Sequence, residues 1–193
     1  MNQLKQTTIT PEALSEALDK AIADERKAKD AKRTKRTGLK YEYWQPRPDH
    51  ISANGDCVMR AWTWALNKDY EEVLNEMQAI CDDYTLNSRR RNQRVKDSGT
   101  PLAVIQRFAK RHGWAWKETK GPWETKEKYY GSYKSTIRKQ KNVLFKADAL
   151  PRKLCVAITT RHAVAVEDHV CLDSYDSRGD RSCVLEGYFV KED

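Results

Sequence analysis

The 193-residue sequence has no long hydrophobic run and no start typical of a secreted protein. No stretch comes near the roughly 18 consecutive apolar residues that a membrane-spanning helix needs, which predicts that the chain does not enter a membrane. The first six residues, MNQLKQ, lack the apolar segment of a signal peptide, so we expect a cytoplasmic protein. The 5 cysteines are an odd number and include no Cys-x-x-Cys pair. This argues against a disulfide framework and fits a reducing compartment.

The sequence also lacks the motifs of several common cofactor sites. It contains no glycine-rich phosphate loop and no Gly-x-Ser-x-Gly elbow, so neither nucleotide hydrolysis nor serine-hydrolase chemistry is indicated. Cys155, Cys171, Cys183 and His169 do not have the paired spacing that is typical of a zinc site. The acidic run 173–180 lacks the glutamate that completes a calcium loop. We therefore expect no metal ion and no cofactor.

Acidic residues are outnumbered by basic ones, at 28 Asp and Glu against 36 Lys and Arg, for a formal net charge of +8. The excess is concentrated in 26–36, 89–96 and 114–128, and the last segment interleaves lysines with tryptophans. Such mixtures suit contact with nucleic acid or with an acidic protein surface. The same residues also fit a solvated surface over buried tryptophans, and this second interpretation is the one we favour.

The chain divides into a charged helical arm, 1–40, and a domain, 41–193. Thr10-Pro11 is typical of a helix start, and Gly38 can end that helix. The apolar residues of the arm recur at helical spacing before the basic segment begins: Leu14, Leu18, Ala21 and Ile22. We expect the first half of the arm to dock weakly on the domain and the second half to be solvated.

Within the domain, helical patterns come before strand patterns. Apolar periodicity predicts helices over 57–66 and about 70–80, and a third helix after Gly99-Thr100-Pro101. Residues 114–141 show no clear periodicity. Short β-rich runs bounded by turn residues then follow, at 143–145, 155–158, 162–166, 170–173 and 183–190. Helices followed by strands predict an α+β fold.

Cys57 is a candidate nucleophile because of where it lies. It follows the loop Asn54-Gly55-Asp56 and opens a predicted helix. The partial positive charge at a helix N-terminus stabilises a thiolate, and the free N–H groups there can bind the oxyanion that forms when a thiolate attacks a carbonyl. A cysteine buried as a small hydrophobic residue is the alternative.

His162 is the histidine best placed to take the proton of such a thiol. If Glu167-Asp168 is a two-residue turn, His162 lies directly across a hairpin from Asp173. Side chains that face each other across two strands have Cβ atoms about 4.5–5.5 Å apart, within reach of an imidazole–carboxylate hydrogen bond. A nucleophile, a base and an orienting carboxylate are the three parts of a catalytic triad. The alternative is a histidine with only a structural role.

This order of cysteine, histidine and aspartate resembles the papain-like cysteine peptidases. The segment NGDCVMRA, 54–61, is similar to the nucleophile motif of ovarian-tumour-domain deubiquitinases, which have an aspartate where Asn54 stands. The segments 150–166 and 173–179 look more like small papain-like proteins of bacteriophage and bacterial genomes, and the resemblance covers about residues 50–190. It implies that Cys57 is the nucleophile, that His162 is the base and that Asp173 orients the imidazole.

The resemblance also implies a fold and an oxyanion hole. The fold is a helical half that presents Cys57, packed on a small antiparallel sheet that presents His162 and Asp173. The backbone N–H of Cys57 and the loop Asn54-Gly55-Asp56 would bind the oxyanion. Papain has a glutamine donor six positions before its cysteine, where this chain has Ile51. Asp176 and Arg178 are candidate substrate contacts in the polar loop after Asp173.

The activity implied is a thiol hydrolase that cleaves an amide or isopeptide bond in a protein or peptide through an acyl-enzyme. Its location would be the cytoplasm of a bacterial host if a phage encodes it. Deamidation and transglutaminase-like acyl transfer would use the same three residues and stay open. A binding protein without catalysis, for nucleic acid or an acidic protein, is the alternative from another class.

Overall fold

The computed structural model describes residues 11–86, 95, 99–130, 133–178 and 183–192, and within them the chain forms four α-helices and eight β-strands. The helices are α1 (Pro11–Thr37), α2 (Cys57–Leu66), α3 (Tyr70–Leu86) and α4 (Leu102–Arg111). The strands are β1 (Lys40–Tyr43), β2 (Trp114–Glu118), β3 (Trp123–Tyr130), β4 (Tyr133–Gln140), β5 (Cys155–Thr159), β6 (His162–Glu167), β7 (Val170–Asp173) and β8 (Leu185–Lys191). No helix in these ranges is both long enough and apolar enough to cross a membrane. The α+β class predicted from the sequence is confirmed.

Six strands form one mixed sheet in the order β1-β7-β6-β5-β8-β2. β1 runs parallel to β7, and every other pair in this sheet is antiparallel. The predicted small antiparallel sheet is therefore corrected to a six-stranded mixed sheet. The prediction missed β1 because this short edge strand reads Lys-Tyr-Glu-Tyr and buries none of its side chains fully, so it lacks an apolar signal. It missed β2 because that strand lies in the segment without clear periodicity.

β3 and β4 pair with each other as a separate two-stranded sheet. Their sequences, WETKEKYY and YKSTIRKQ, carry charge on both faces, which hides the period of two that marks a half-buried strand. The predicted strand 143–145 is reduced to a single bridge between Leu144 and Val184. The other predicted strands are present with ends within two residues of those expected.

The main sheet separates two apolar cores. α2, α3 and α4 cover one face, where Trp62 of α2 packs edge-on against Phe108 and Trp114. The other face is covered by the chain on either side of the strands, including Leu39, Phe145 and Leu150. This arrangement lays α2 against β6, so the N-terminus of α2 meets the beginning of that strand.

α1 is anchored to the domain near its C-terminal end. Every residue from 11 to 32 is exposed, including the apolar Leu14, Leu18 and Ile22. The contacts to the domain come from the basic half, where Asp30 and Thr34 bind the guanidinium of Arg178. The expected docking is thus reversed, because an ion-pair cluster rather than the apolar face holds the arm. Thr10, the predicted N-cap, lies outside the described residues.

Candidate active site

Cys57 is the first residue of α2, and its thiol interacts electrostatically with the imidazole of His162. The first N–H groups of a helix have no partner within the helix. In α2 they lie at the end that begins with Cys57. Burial raises the pKa of the Cys57 thiol, but the hydrogen bond and charge of His162, with a smaller contribution from Arg60, outweigh burial and bring the pKa below its usual range. The environment therefore favours a thiolate.

His162, the first residue of β6, joins Cys57 to Asp173, the last residue of β7. Its Nε2 lies 2.6 Å from Oδ2 of Asp173, which leaves Nδ1 to exchange a proton with the thiol. Burial lowers the pKa of His162, but the hydrogen bonds to Asp173 and Cys57 have the larger combined effect and raise the pKa to about 9. Both shifts favour the imidazolium–thiolate form of the pair over the neutral form.

Asp173 is held ionised by several partners. Oδ1 accepts hydrogen bonds from the backbone N–H of Ser174 at 2.8 Å and from Nη2 of Arg60 at 3.2 Å. Burial raises the pKa of Asp173, but His162, followed by Ser177 and then Arg60, outweighs burial and holds the pKa below its usual range. The carboxylate can therefore orient the imidazole and balance its charge.

The register of the β6–β7 hairpin differs from the predicted one. The turn residues are Asp168 and His169, both with positive φ, rather than Glu167 and Asp168. Two consecutive positive φ values are typical of a type I′ turn, which matches the twist of a hairpin. With this turn, the position opposite His162 is two residues beyond Asp173. Because successive side chains of a strand alternate between the two faces of the sheet, His162 and Asp173 still lie on the same face and meet diagonally. The predicted pairing is wrong, although the predicted contact exists.

Arg60 is a site residue that the sequence reasoning did not single out. It lies one turn after Cys57 on α2, is buried, and donates both to Asp173 and to Oδ1 of Asp56. Oδ2 of Asp56 accepts further hydrogen bonds from Tyr70 at 3.0 Å and Arg47 at 3.4 Å. The carboxylate of Asp56, a predicted oxyanion or substrate contact, is thus engaged inside the protein. The available signal was an arginine within the apolar predicted helix, one turn after the candidate nucleophile.

Tyr175 covers the other side of the imidazole. Its hydroxyl lies 2.9 Å from Nδ1 of His162, and the two rings are 5.0 Å apart. Burial, with the charges of Asp173 and Cys57, raises the pKa of Tyr175 to about 12, so the phenol stays protonated. The side chain is 52% exposed and can leave without disturbing the core. The phenol therefore shares with the Cys57 thiol the nitrogen that must accept the proton.

The candidate site opens into two halves of one cleft. A polar half of about 400 Å³ lies on the side of Gln45, Asn54 and Ser174. A more apolar half of about 440 Å³ lies on the side of Pro101, Leu102 and Ile105. Three residues line both halves: Cys57, Arg161 and His162. A substrate in the cleft would pass directly over the thiol.

Two side-chain amides line the polar half beside the thiol. Asn54, the predicted oxyanion donor, is exposed there, and Gly55 lines the same half. Gln45 was not predicted, since it lies twelve positions before Cys57, beyond the loop. Its Oε1 accepts a hydrogen bond from the backbone N–H of Arg47 at 3.3 Å, which orients its amide NH₂ away from that contact. Both amides can donate hydrogen bonds to an oxygen bound in this half.

Asp176 and Arg178, the other predicted substrate contacts, lie at the junction with the arm. Arg178 has 0% of its surface exposed and binds Asp176, Asp30 and the carbonyl of Leu39. Asp176 also pairs with Arg33 at 2.6 Å. The structure therefore places the two residues in the cluster that anchors α1 and leaves them out of the lining of both cleft halves.

The structure describes two of the three basic segments, 26–36 and 114–128, and these lie on different elements. Segment 26–36 lies on α1, and segment 89–96 falls outside the described residues apart from Val95. In segment 114–128, Trp114 is buried and Trp116 packs on Phe189, whereas Trp123 is 62% exposed. Within the described ranges, no group of three His, Cys, Asp or Glu side chains is placed to hold a metal ion.

Comparison of the chain with protein-family models, with curated proteins and with solved structures gives no match.

Proposed function

We propose that this protein is a thiol hydrolase that cleaves an amide or isopeptide bond with Cys57 as nucleophile, His162 as base and Asp173 as the orienting carboxylate. The observation that carries the proposal is that the imidazole of His162 lines the cleft together with the thiol, lowers the pKa of that thiol, and has its Nε2 2.6 Å from the carboxylate of Asp173. The thiol lies at a helix N-terminus and in an open cleft, which are the conditions that nucleophilic catalysis by cysteine requires.

The steps follow from the two nitrogens of His162. Nδ1 takes the proton of the Cys57 thiol, while Nε2 keeps its hydrogen bond to Asp173. The thiolate then attacks the carbonyl carbon of the substrate, forming a C–S bond and an oxyanion. The imidazolium gives its proton to the leaving amine as the C–N bond breaks, and a thioester remains on Cys57.

The second half of the reaction regenerates the thiol. The neutral imidazole of His162 removes a proton from water, which attacks the thioester carbon. The C–S bond breaks, the acid product leaves, and the sulfur recovers the proton. Deamidation and acyl transfer would share the thioester and differ in the substrate amide or in the nucleophile that accepts the acyl group.

The oxyanion would be bound by groups at the start of α2. The backbone N–H of Cys57 is one donor, as expected for the first turn of a helix. The side-chain amides of Asn54 and Gln45 line the same half of the cleft and are candidates for the second donor. Gln45 would take the place of the glutamine that papain has before its cysteine, although it lies farther away along the chain.

The papain-like architecture is also part of the proposal. α2 presents the cysteine and packs on the sheet whose strands β6 and β7 present the histidine and aspartate. The order of the three residues along the chain and their division between a helix and a sheet agree with that superfamily. The supporting evidence is this topology together with the NGDCVMRA segment.

The activity can be tested without knowing the substrate. A proteome-derived peptide library is incubated with the wild-type protein or with Cys57→Ala, and new N-termini are labelled and sequenced by mass spectrometry. We expect cleavage only with the wild type. Cys183→Ala is the matched control, because Cys183 is partly exposed but has a thiol whose pKa burial raises. Identical peptide sets from the wild type and Cys57→Ala would refute peptide hydrolysis.

A further inference from the structure

Arg161 has an unusual backbone conformation at the edge of the cleft. It is the second residue of the Thr160-Arg161 turn between β5 and β6, and its φ is 68°. Four non-glycine residues in the described ranges have positive φ, and the other three are Asn67, Asp168 and His169. Asparagine, aspartate and histidine are the types enriched in this region, whereas arginine is not. A glycine or asparagine would suit the turn better, so the side chain of Arg161 has a role other than turn formation.

The position of Arg161 connects it to the chemistry of the site. It directly precedes His162, and it is the one residue besides Cys57 and His162 that lines both halves of the cleft. A guanidinium at this point reaches a substrate on either side of the bond that the thiol attacks. Its charge therefore acts on groups close to the reacting carbonyl.

The guanidinium of Arg161 is exposed and makes no ion pair with any carboxylate in the described part of the chain. The other arginines of the polar half are engaged: Arg47 pairs with Asp56, and Arg60 pairs with both Asp56 and Asp173. The apolar half has a carboxylate in its lining, that of Glu186. The polar half has Asp56 as its sole lining carboxylate among the described residues, and that group is used internally.

We infer that Arg161 binds a carboxylate of the substrate in the polar half of the cleft, so that the preferred substrates are peptides with an acidic group next to the bond that is cleaved. A planar guanidinium is well suited to this role because it can form two parallel hydrogen bonds with a carboxylate. The apolar half accepts an uncharged side chain on the other side of the bond. The inference rests on the proposed function for its substrate but not for its anion site.

The anion site can be tested without turnover by two alkylating reagents of similar size. Iodoacetate is an anion and iodoacetamide is neutral. The rate constant of iodoacetate at Cys57 divided by that of iodoacetamide therefore measures the local positive charge. In Arg161→Gln we expect this ratio to fall by roughly fivefold, the factor that one nearby unit charge contributes in water. High salt should reduce the wild-type ratio toward that of the variant.

Arg152→Gln provides the matched control, since it removes the same charge from an exposed position beyond the other end of β5. The charge of His162 contributes to the ratio in all three proteins, so this contribution cancels when the three ratios are compared. Equal ratios in Arg161→Gln, Arg152→Gln and the wild type would overturn the inference. This outcome is independent of whether any peptide is cleaved.

Substrate preference is tested with Arg161→Gly and paired peptides. Peptides that the library experiment identifies are resynthesised with Glu or Gln at each position beside the cleaved bond. We expect the wild type to prefer Glu in kcat/KM at one of these positions and Arg161→Gly to lose that preference. Glycine adopts a positive φ without strain, so the thermal midpoint of Arg161→Gly should be higher than that of the wild type. A higher midpoint together with a lost preference for Glu would not be expected if Arg161 had only a structural role. A preference that persists in Arg161→Gly would refute the substrate class.

Discussion

Arg60 on the nucleophile helix donates to Oδ1 of Asp173 on β7, with 3.2 Å between Nη2 and the oxygen. The same guanidinium binds Asp56, the residue before Cys57. One buried side chain thus joins the loop that ends at the nucleophile to the carboxylate that orients the base. This ion-pair cluster, together with apolar packing, fixes the distance between the loop that ends at Cys57 and the pair of His162 and Asp173.

The first prediction concerns Arg60. Arg60→Met keeps most of the side-chain volume but removes the buried cation that the carboxylates of Asp56 and Asp173 share. We expect the free energy of unfolding to fall by about 3–5 kcal/mol, as when one member of a buried ion pair is removed. Urea denaturation measures the change. Arg107→Met, at an exposed position, is the control and should cost less than about 1 kcal/mol. A similar small change in both variants would contradict the role assigned to Arg60.

The second prediction concerns the pH dependence of peptide cleavage. The thiolate–imidazolium pair exists between the lowered pKa of Cys57 and the raised pKa of His162, about 9. Peptide cleavage, which needs both charged forms, should rise through the first pKa and fall again near pH 9. Asp173→Asn removes a group that raises the pKa of His162, so the alkaline limb should move to lower pH. An alkaline limb that stays in place would show that Asp173 does not act on the imidazole.

The third prediction concerns Tyr175. Its hydroxyl competes with the thiol for Nδ1 of His162, so Tyr175→Phe should free this nitrogen. We expect the alkylation rate of Cys57 at neutral pH to rise by roughly twofold to tenfold, because a hydrogen bond contributes about 0.5–1.5 kcal/mol net. Stopped-flow alkylation measures the rate. A decrease would mean that the phenol supports the imidazolium instead of competing for it.

The fourth prediction concerns the oxyanion donors. Gln45→Ala and Asn54→Ala are each compared with the wild type in alkylation and in peptide cleavage. Alkylation forms no oxyanion, so its rate should not change, whereas loss of the true donor should lower kcat by about 10²–10³. If both variants keep the wild-type kcat, neither amide is a donor.

The fifth prediction concerns the anchor of the arm. Arg178→Met removes the fully buried partner of Asp176 at the base of α1 and leaves it the more exposed Arg33, and we expect it to lower the free energy of unfolding by roughly 3 kcal/mol. Trypsin should also cut within α1 more rapidly in this variant. Asp30→Asn is the matched control, since Asp30 is half exposed and its pair with Arg178 should contribute less than about 1 kcal/mol.

The same cluster should weaken in acid. Burial raises the pKa of Asp176, but the hydrogen bonds from Arg178 and Arg33 outweigh burial and lower the pKa to about 2. A carboxyl whose pKa is lower in the folded protein stabilises it above the unfolded value, near 4, and loses that contribution as the pH falls toward 2. Proteolysis of α1 by pepsin over this pH range would report the loss.

The sequence was informative where a local physical rule governs the structure. Cys57 begins a helix, as its position after a glycine-containing loop predicted, and β5 to β8 lie where β-rich runs are bounded by turn residues. The contact of His162 with Asp173 was expected from hairpin geometry, although the register differs from the predicted one by two positions. These features depend on residues close together in the chain.

The remaining features depend on contacts between distant segments, which no local pattern encodes. β1 joins the sheet through parallel pairing with a strand about 130 positions later. Arg60 and Gln45 become site residues only because the fold brings β7 and the loop before α2 together. The arm was assigned to the wrong contacts because an isolated apolar stripe does not reveal that a buried Arg178 holds the opposite end.

The most direct test of the central claim is the rate of iodoacetamide labelling at each cysteine as a function of pH, read by mass spectrometry. We predict that Cys57 reacts fast well below the ordinary pKa of a thiol, that Cys183 reacts only as its thiol ionises at higher pH, and that His162→Ala removes the difference. Labelling of Cys57 that follows the same pH curve as Cys183, in both the wild type and His162→Ala, would contradict the thiolate–imidazolium pair and with it the proposed catalysis.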